Sequence, residues 1–281
     1  VRSSPCSAVA VDSRTLHEGE TWHRSERDPR LYSITGRRFE RAPSPPSPFS
    51  PEQEPIDAVI DPSARVHATA DLEPDVDVGA GTTIWHRAQI RTGARIGTEC
   101  VIGRDAFIDE SVVLGNRVKI QNLALVYHGV NVEDGVFIGP GAILTNDRYP
   151  RAITSTGDLA RAEDWTIGPI TLRYGCSIGA GAVVVAGVDV GRYATVGAGA
   201  VVTRTVPNHA LVAGSPARRI GWVCACGARL VDANGEPAQA EPDRYSAHTD
   251  LVCPSCGRHY AYVPDAETLE ERSGPRQGAP A

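Results

Sequence analysis

Ile60-Asp61-Pro62-Ser63-Ala64-Arg65-Val66-His67-Ala68-Thr69-Ala70-Asp71-Leu72 opens a stretch, running to Asn146, with an aliphatic residue at every sixth position. After Ile60, Val66 and Leu72 the series continues through Val78, Ile84, Ile90, Ile96, Ile102, Ile108, Leu114, Ile120, Val126, Val132, Ile138 and Leu144. If Ile, Leu and Val are about a quarter of ordinary residues, such a run arises by chance roughly once in a billion. Four residues after each of these positions stands a small or β-branched side chain, as at Ala64, Ala70, Val76, Thr82, Ala88, Ala94, Cys100, Ala106 and Val112. A period of six fits neither the 2.0 of a strand nor the 3.6 of a helix. It predicts a repeat coil of short strands and tight corners, with one large and one small residue pointing inward per side. Gly or Asp often follows the aliphatic residue (Asp61, Gly79, Gly97, Gly103, Gly115, Gly139), and is expected there to supply positive φ or local hydrogen bonds.

The pattern breaks after Asn146 and resumes at Leu172, Ile178, Val184, Val190, Val196 and Val202. The step from Leu144 to Leu172 is 28, not a multiple of six, so the polar segment 147–165 is expected to be extruded. The preceding residues, 1–55, end in the proline-rich run Pro43-Ser44-Pro45-Pro46-Ser47-Pro48. They are expected to be a disordered tail. The chain of 281 residues carries a net charge of −6, which argues against nucleic acid as a general partner. It has no apolar run long enough to span a membrane and no charged-then-apolar signal pattern, so the cytoplasm is the expected location.

Of seven cysteines, Cys100 and Cys176 fall on small inward positions, and Cys6 lies in the tail. The other four form two knuckles, Cys224-Ala225-Cys226-Gly227 and Cys253-Pro254-Ser255-Cys256-Gly257. Four thiolates suit a tetrahedral structural zinc with no open position for catalysis. The expected organisation is thus the tail, a coil over 56–221 with its loop at 147–165, a zinc ribbon over 222–263, and a flexible tail over 264–281. In that last segment Ala266–Arg272 is read as one or two helical turns.

Three hexapeptides make one turn of eighteen residues, which stacks Glu110, His128 and Asn146 on consecutive turns about 4.8 Å apart. A carboxylate beside an imidazole would fix its tautomer and raise its basicity, and Asn146 would orient a nucleophile or an oxyanion. Ala180 and Ala198, eighteen apart and each within Gly-Ala-Gly, leave room for a ligand against the backbone. If Ile178 resumes the face that Leu144 left, they continue the column above Asn146.

The hexapeptide pattern, closed by Gly214-Ser215-Pro216-Ala217-Arg218, resembles the left-handed parallel β-helix acyltransferases. Trp85-His86, Gly115-Asn116-Arg117-Val118-Lys119-Ile120-Gln121-Asn122, Val136-Phe137-Ile138-Gly139-Pro140, Thr145-Asn146, Pro150-Arg151-Ala152 and Ile220-Gly221-Trp222 resemble one branch of them. That branch comprises N-acetyltransferases of nucleotide-linked 3-amino sugars, especially UDP-2-acetamido-3-amino-2,3-dideoxy-glucuronate. The resemblance covers about 56–262 and implies an all-β, left-handed parallel β-helix. It also implies acetyl-CoA as donor, a UDP- or dTDP-linked amino sugar as acceptor, and a homotrimer with sites between neighbours. By the same resemblance Asn146 lies by the reacting amine and Ala180, Ala198, Arg204, Arg218 and Arg219 hold CoA. Gln121, Asn122 and Arg151 are candidate contacts of the sugar nucleotide. The chain departs from the branch at Glu110 and His128, where an amide and an acid are usual, and at Leu123, where a second asparagine is usual. The competing readings are an O-acetyltransferase, which would lean harder on His128, and a non-catalytic scaffold. A γ-type carbonic anhydrase needs three histidines at metal spacing, which His67, His86 and His128 do not supply.

Overall fold

The computed structural model describes residues 21–24, 32–35, 57–238, 249–263 and 268–272. The chain divides into two units, Val1–Glu54 and Pro55–Ala281. Within the first, Thr21–Arg24 pairs antiparallel with Tyr32–Thr35, so part of the expected disordered tail is a strand pair. The rest of that tail lies outside the described residues.

The second unit is all-β, a parallel β-helix of about eight turns built from strands two or three residues long. Face one runs from Val59–Ile60 to Asp189–Val190, and face two from Arg65–Val66 to Thr195–Val196. Face three runs from Asp71–Leu72 to Val201–Val202. Away from the extruded loop, strands of the coil pair in parallel with those eighteen residues later, as Ile102 does with Ile120. The aliphatic series points inward: from Val78 to Val202 its members are at most 4% exposed, with the small residues packed beside them. Each such Ile, Leu or Val stabilises the fold by about 1.5–3 kcal/mol.

The corners differ from expectation in an instructive way. Positive φ falls on the third residue after the aliphatic one, at Gly81, Arg87, Gly93, Glu99, Asp105, Ser111, Arg117, Leu123 and onward, not on the first. Glycine directly after the aliphatic residue answers a different need. A Cβ on Gly139 would stand 2.6 Å from the Ala180 nitrogen, so the next turn can approach only if no side chain is there. Corner side chains then stitch the turns together: Asn116 Oδ1 accepts from Thr98 N at 2.9 Å, Asn122 Oδ1 from Arg104 N at 2.9 Å, and Asn208 Oδ1 from Arg192 N at 2.8 Å.

The loop leaves the corner between faces three and one. Leu144 ends its face-three strand, and Ile170–Leu172 takes the face-one position that a sixth residue, 150, would have held. The insertion is therefore 172 − 150 = 22 residues, and Ile178 lands on face two beside Ile138. The conditional placement of Ala180 and Ala198 above Asn146 is thereby overturned. The loop folds on itself through Asp147↔Ile167 and Ile153↔Leu159 bridges.

At its upper end the coil closes with Ala210–Ala213, which pairs antiparallel with Arg218–Trp222. The Ser215–Pro216 peptide between them is cis. The cysteine module continues the core through Trp222, Leu230, Leu251, Tyr260, Tyr262 and Leu269. Thr268–Glu271 is a strand paired with His259–Val263, not helical turns. Leu269 opposite Tyr262 buries one side chain of an alternating segment, and that burial overrides the helix preference of its glutamates.

Leu123 carries a bulky side chain at φ 63° while remaining 56% exposed. The left-handed conformation costs an L-residue about 1–2 kcal/mol, less for asparagine. Leu123→Asn should therefore raise stability by about 1 kcal/mol, read as a higher denaturation midpoint at unchanged m.

Candidate functional site

The three stacked residues are brought together as the eighteen-residue turn requires. Ile108, Val126 and Leu144 are in register on face three, and Glu110, His128 and Asn146 follow each two residues later at the same edge. The same column continues upward to Ala186 and Arg204 through the pairing of Leu144 with Val184 and of Val184 with Val202. Arg204 thus shares the edge of Asn146, whereas Ala180 and Ala198 do not.

What fixes His128 is not the carboxylate. Its Nδ1 lies 2.8 Å from the backbone carbonyl of Glu110, against 3.8 Å from the Glu110 carboxylate. A carbonyl only accepts, so Nδ1 carries the proton and Nε2 presents its lone pair. Asp109, only 8% exposed, holds this corner from within. Its carboxylate accepts from the backbone N–H groups of His128 and Glu110 and pairs with Arg91 at 2.9 Å. Neither Asp109 nor Arg91 was singled out in the sequence. An acid directly after the aliphatic residue, eighteen residues from an arginine in the same slot, is the signal that would have found them.

Asn146 sits at the neck of the extruded loop. Its carbonyl accepts from Gly168 N at 2.8 Å, beside the Asp147↔Ile167 bridge. Ile167 crosses over Gly129, where an added Cβ would be 2.5 Å from its methyl, so the neck lies directly against the His128 corner. Arg151 is further out on the exposed loop, and its guanidinium bonds the carbonyl of Pro150. Tyr149, Ile153 and Leu159 expose 78%, 55% and 71% of their surface there.

The edge between faces two and three carries the other candidates. Gln121 and Asn122 stand one turn below Gly139 and Pro140, with Ala180 and Ala198 on the turns above. At Gly141, Gly181 and Gly199 nothing lies within 4 Å of a built Cβ, which leaves this upper edge a bare ledge. Arg218 is exposed near the closing hairpin and bonds the carbonyl of Ala217, and the Arg219 guanidinium lies 4.6 Å from the Trp222 ring.

The sulfurs of Cys224, Cys226, Cys253 and Cys256 lie within 4.8 Å of one another, and the closest pairs are 3.5 Å apart. Four sulfurs 2.3 Å from a tetrahedral zinc would be about 3.8 Å apart, so the cluster fits that ion. Gly227 and Gly257 adopt φ of 91° and 70°, turning each knuckle as an L-residue would not. Burial opposes ionisation of Cys224. Bonds from the Cys226 backbone N–H, the Tyr260 hydroxyl and neighbouring thiols outweigh it and draw this thiol down to about 7. Cys176 is pushed up to about 12, first by burial in the coil and then by the nearby charge of Glu133, against a single backbone N–H that lowers it.

Residues 93–122 and 169–204 match the family described as the hexapeptide repeat of succinyl-transferase. Over 98 residues the chain is 40% identical to a dTDP-3-amino-3,6-dideoxy-alpha-D-galactopyranose 3-N-acetyltransferase of Aneurinibacillus thermoaerophilus, covering 35% of this chain and 43% of that protein. It is 30% identical to a serine acetyltransferase of Salmonella typhimurium, covering 54% of this chain and 38% of that protein. The chain spans less than half the length of these curated relatives. Among solved structures, a GDP-perosamine N-acetyl transferase from Caulobacter crescentus in complex with CoA and GDP-perosamine aligns at TM-score 0.35 and 22% identity, over 59% of this chain and 58% of that one. A hexapeptide transferase family protein from Anaplasma phagocytophilum aligns at 0.38 and 19%, over 60% and 81%. No helix among the described residues is long and apolar enough to cross a membrane.

Proposed function

We propose that this chain, which carries the hexapeptide repeat and has acetyltransferases for relatives, moves an acetyl group from acetyl-CoA to the amine of a nucleotide-linked 3-amino sugar. The observation that carries the reading is the His128 imidazole, held through Nδ1 by the Glu110 carbonyl so that Nε2 is left to act, at the neck of the loop and one turn from Asn146. The 40% identity to a dTDP-amino-sugar 3-N-acetyltransferase supports the acceptor class. UDP and dTDP are both compatible with it, and the UDP-glucuronate branch rests on resemblance alone.

In this reading the amine nitrogen adds to the thioester carbon, and the tetrahedral adduct collapses by breaking the carbon–sulfur bond. His128 Nε2 takes the amine proton and returns it to the departing thiolate. Glu110 supplies the carbonyl that fixes the His128 tautomer, and the Asn146 amide orients the amine or bonds the oxyanion. The same base would serve a hydroxyl acceptor, which keeps an O-acetyltransferase as the second reading. Arg204 and Arg218 match phosphate geometry and are the candidate CoA contacts near the closing end of the coil. Gln121, Asn122 and Arg151 are those for the sugar nucleotide.

Ala180 and Ala198 lie on one edge of the prism and Asn146 on the next, a full face away. A thioester lying along the bare ledge therefore meets Asn146 of a neighbouring copy, which supports a homotrimer with shared sites. The exposed apolar side chains of the loop fit the same assembly.

Asn146→Ala should lower kcat/KM about a hundredfold or more while leaving the melting temperature unchanged, in a coupled CoA-release assay with nucleotide amino sugars. His128→Asn should cost at least about a hundredfold, and a loss below about tenfold would leave the proton to the thiolate alone. Co-expressing Asn146→Ala with Ala180→Trp, each inactive by itself, should restore partial activity. No recovery would remove the shared site. For the cysteine module, where we propose structural zinc, the purified chain should hold about one zinc per copy. Cys253→Ser should release it and lower the thermal midpoint, as measured by metal analysis and calorimetry.

A further inference from the structure

Lower on the ledge edge, the chain builds an aromatic shelf that the reaction above does not use. His86 stacks on His67 with ring centroids 3.6 Å apart and planes 28° apart. Trp85 lies nearly parallel to His86, at 10°, with centroids 6.1 Å apart, and keeps 47% of its surface exposed. In the slot of Trp85 on this edge the turn below carries His67, and the turns above carry Gly103, Gln121, Gly139, Gly179 and Gly197, so the rings are confined to the lower end.

The space beside the rings is a groove of about 310 Å³, lined by Trp85, His86, Gly103, Arg104, Gln121 and Asn122 among others. Gly103 lets the next turn close up against it: a Cβ there would stand 2.6 Å from Asn122 N. Arg104 pairs with Asp105 at 2.9 Å, yet its side chain stays 54% exposed at the rim.

We infer that this groove is a nucleobase subsite, with the base stacked on Trp85 and His86. This inference rests on the acetyl-transfer reading and specifies how its acceptor is held. A flat π-face suits any base, the Gln121 amide offers donors and an acceptor to the base or ribose, and the Arg104 guanidinium suits a phosphate. Position along the edge selects between two sources of a base. Ala180 is four turns above Trp85, about 19 Å, while Pro140 is three turns above, about 14 Å. A nucleoside diphosphate sugar, some ten bonds of about 1.5 Å between base and sugar, reaches on the order of those three turns when drawn out along the edge. With its base on Trp85, its sugar arrives just below the bare ledge. CoA, with about twice as many bonds between its adenine and its sulfur, overruns both spans when drawn out, so the base on the shelf is assigned to the sugar nucleotide.

The test uses the full-length chain and titrates UDP, dTDP and CoA separately by calorimetry, on the wild type, Trp85→Leu and Trp85→Phe. Trp85→Leu should weaken the better-bound of UDP and dTDP about tenfold or more, Trp85→Phe should recover most of that loss, and CoA should bind all three alike. In turnover, Trp85→Leu should raise KM for the nucleotide amino sugar with kcat within about twofold. Equal nucleotide affinity in the wild type and Trp85→Leu overturns the subsite while leaving acetyl transfer standing. Weakened CoA binding instead overturns the choice of base. A wild-type chain that binds CoA and neither diphosphate, and acetylates no nucleotide amino sugar, overturns the functional reading and the subsite with it. Because Trp85 lies half-exposed at a corner, an unchanged thermal midpoint in both variants keeps a loss of binding separate from a loss of fold.

Discussion

One hydrogen bond, repeated, holds the molecule in shape. The N–H of residue i donates to the carbonyl of residue i + 17, as Asp61 does to Val78, Gly79 to Ile96, Gly97 to Leu114 and Gly115 to Val132. A strand of two residues has no stability of its own, so each turn exists only as the template of the next. The bond survives the insertion unchanged in kind. Gly139 donates to Ile178 and Thr145 to Val184, each 39 residues ahead, which is 17 plus the 22 inserted. The loop is therefore spliced into the coil without disturbing the ladder on either side, and what it brings lies outside.

The corners decide which side chains remain for chemistry. Most corners turn through a left-handed residue, and nine of these among the described residues are not glycine. The strain is accepted because hydrogen bonds between turns over-determine the backbone around it. Side chains one and two residues past each aliphatic position then project from the edges. Where they are Asn116, Asn122 or Asn208 they knit the turns together. Where they are Glu110, His128 and Asn146 they form an outward polar column, steadied by the half-hidden Asp109–Arg91 pair behind it. Structural and candidate site residues occupy equivalent slots, and only their partners distinguish them.

That equivalence explains how much could be read from the sequence. The six-residue period, the inward layer, the stacking of Glu110, His128 and Asn146 and the four-cysteine cluster all follow from spacing, which a linear sequence records faithfully. The face on which the coil resumes does not. Leu172 could have followed Leu144 on any face, and only the parallel bridge of Val132 to Leu172 assigns it to face one. This one unknown moved Ala180 and Ala198 to another edge and brought Arg204 onto the edge of Asn146. The tautomer of His128 was equally hidden, because its partner is the Glu110 backbone and no side-chain identity encodes it. The strand at Thr268–Glu271 was obscured by glutamates that favour helix until Leu269 is buried.

The two edges lead to the same conclusion from opposite directions. Among the described residues the candidate groups of the prism are divided between its edges. The polar column stands at one edge, the bare ledge and aromatic shelf at another. For the acetyl transfer we propose, each is incomplete: the column offers no ledge along which a long thioester could lie, and the bare ledge carries no base. In the homotrimer we propose, the ledge of one copy would lie against the column of the next and supply both deficits with a single contact. The extruded loop, anchored at Asn146 and exposing Tyr149, Ile153 and Leu159, would cover that junction in the proposed assembly. A rigid repeat can afford such a division because its turn height fixes where each residue stands along an edge, so two copies set side by side align their storeys without further adjustment.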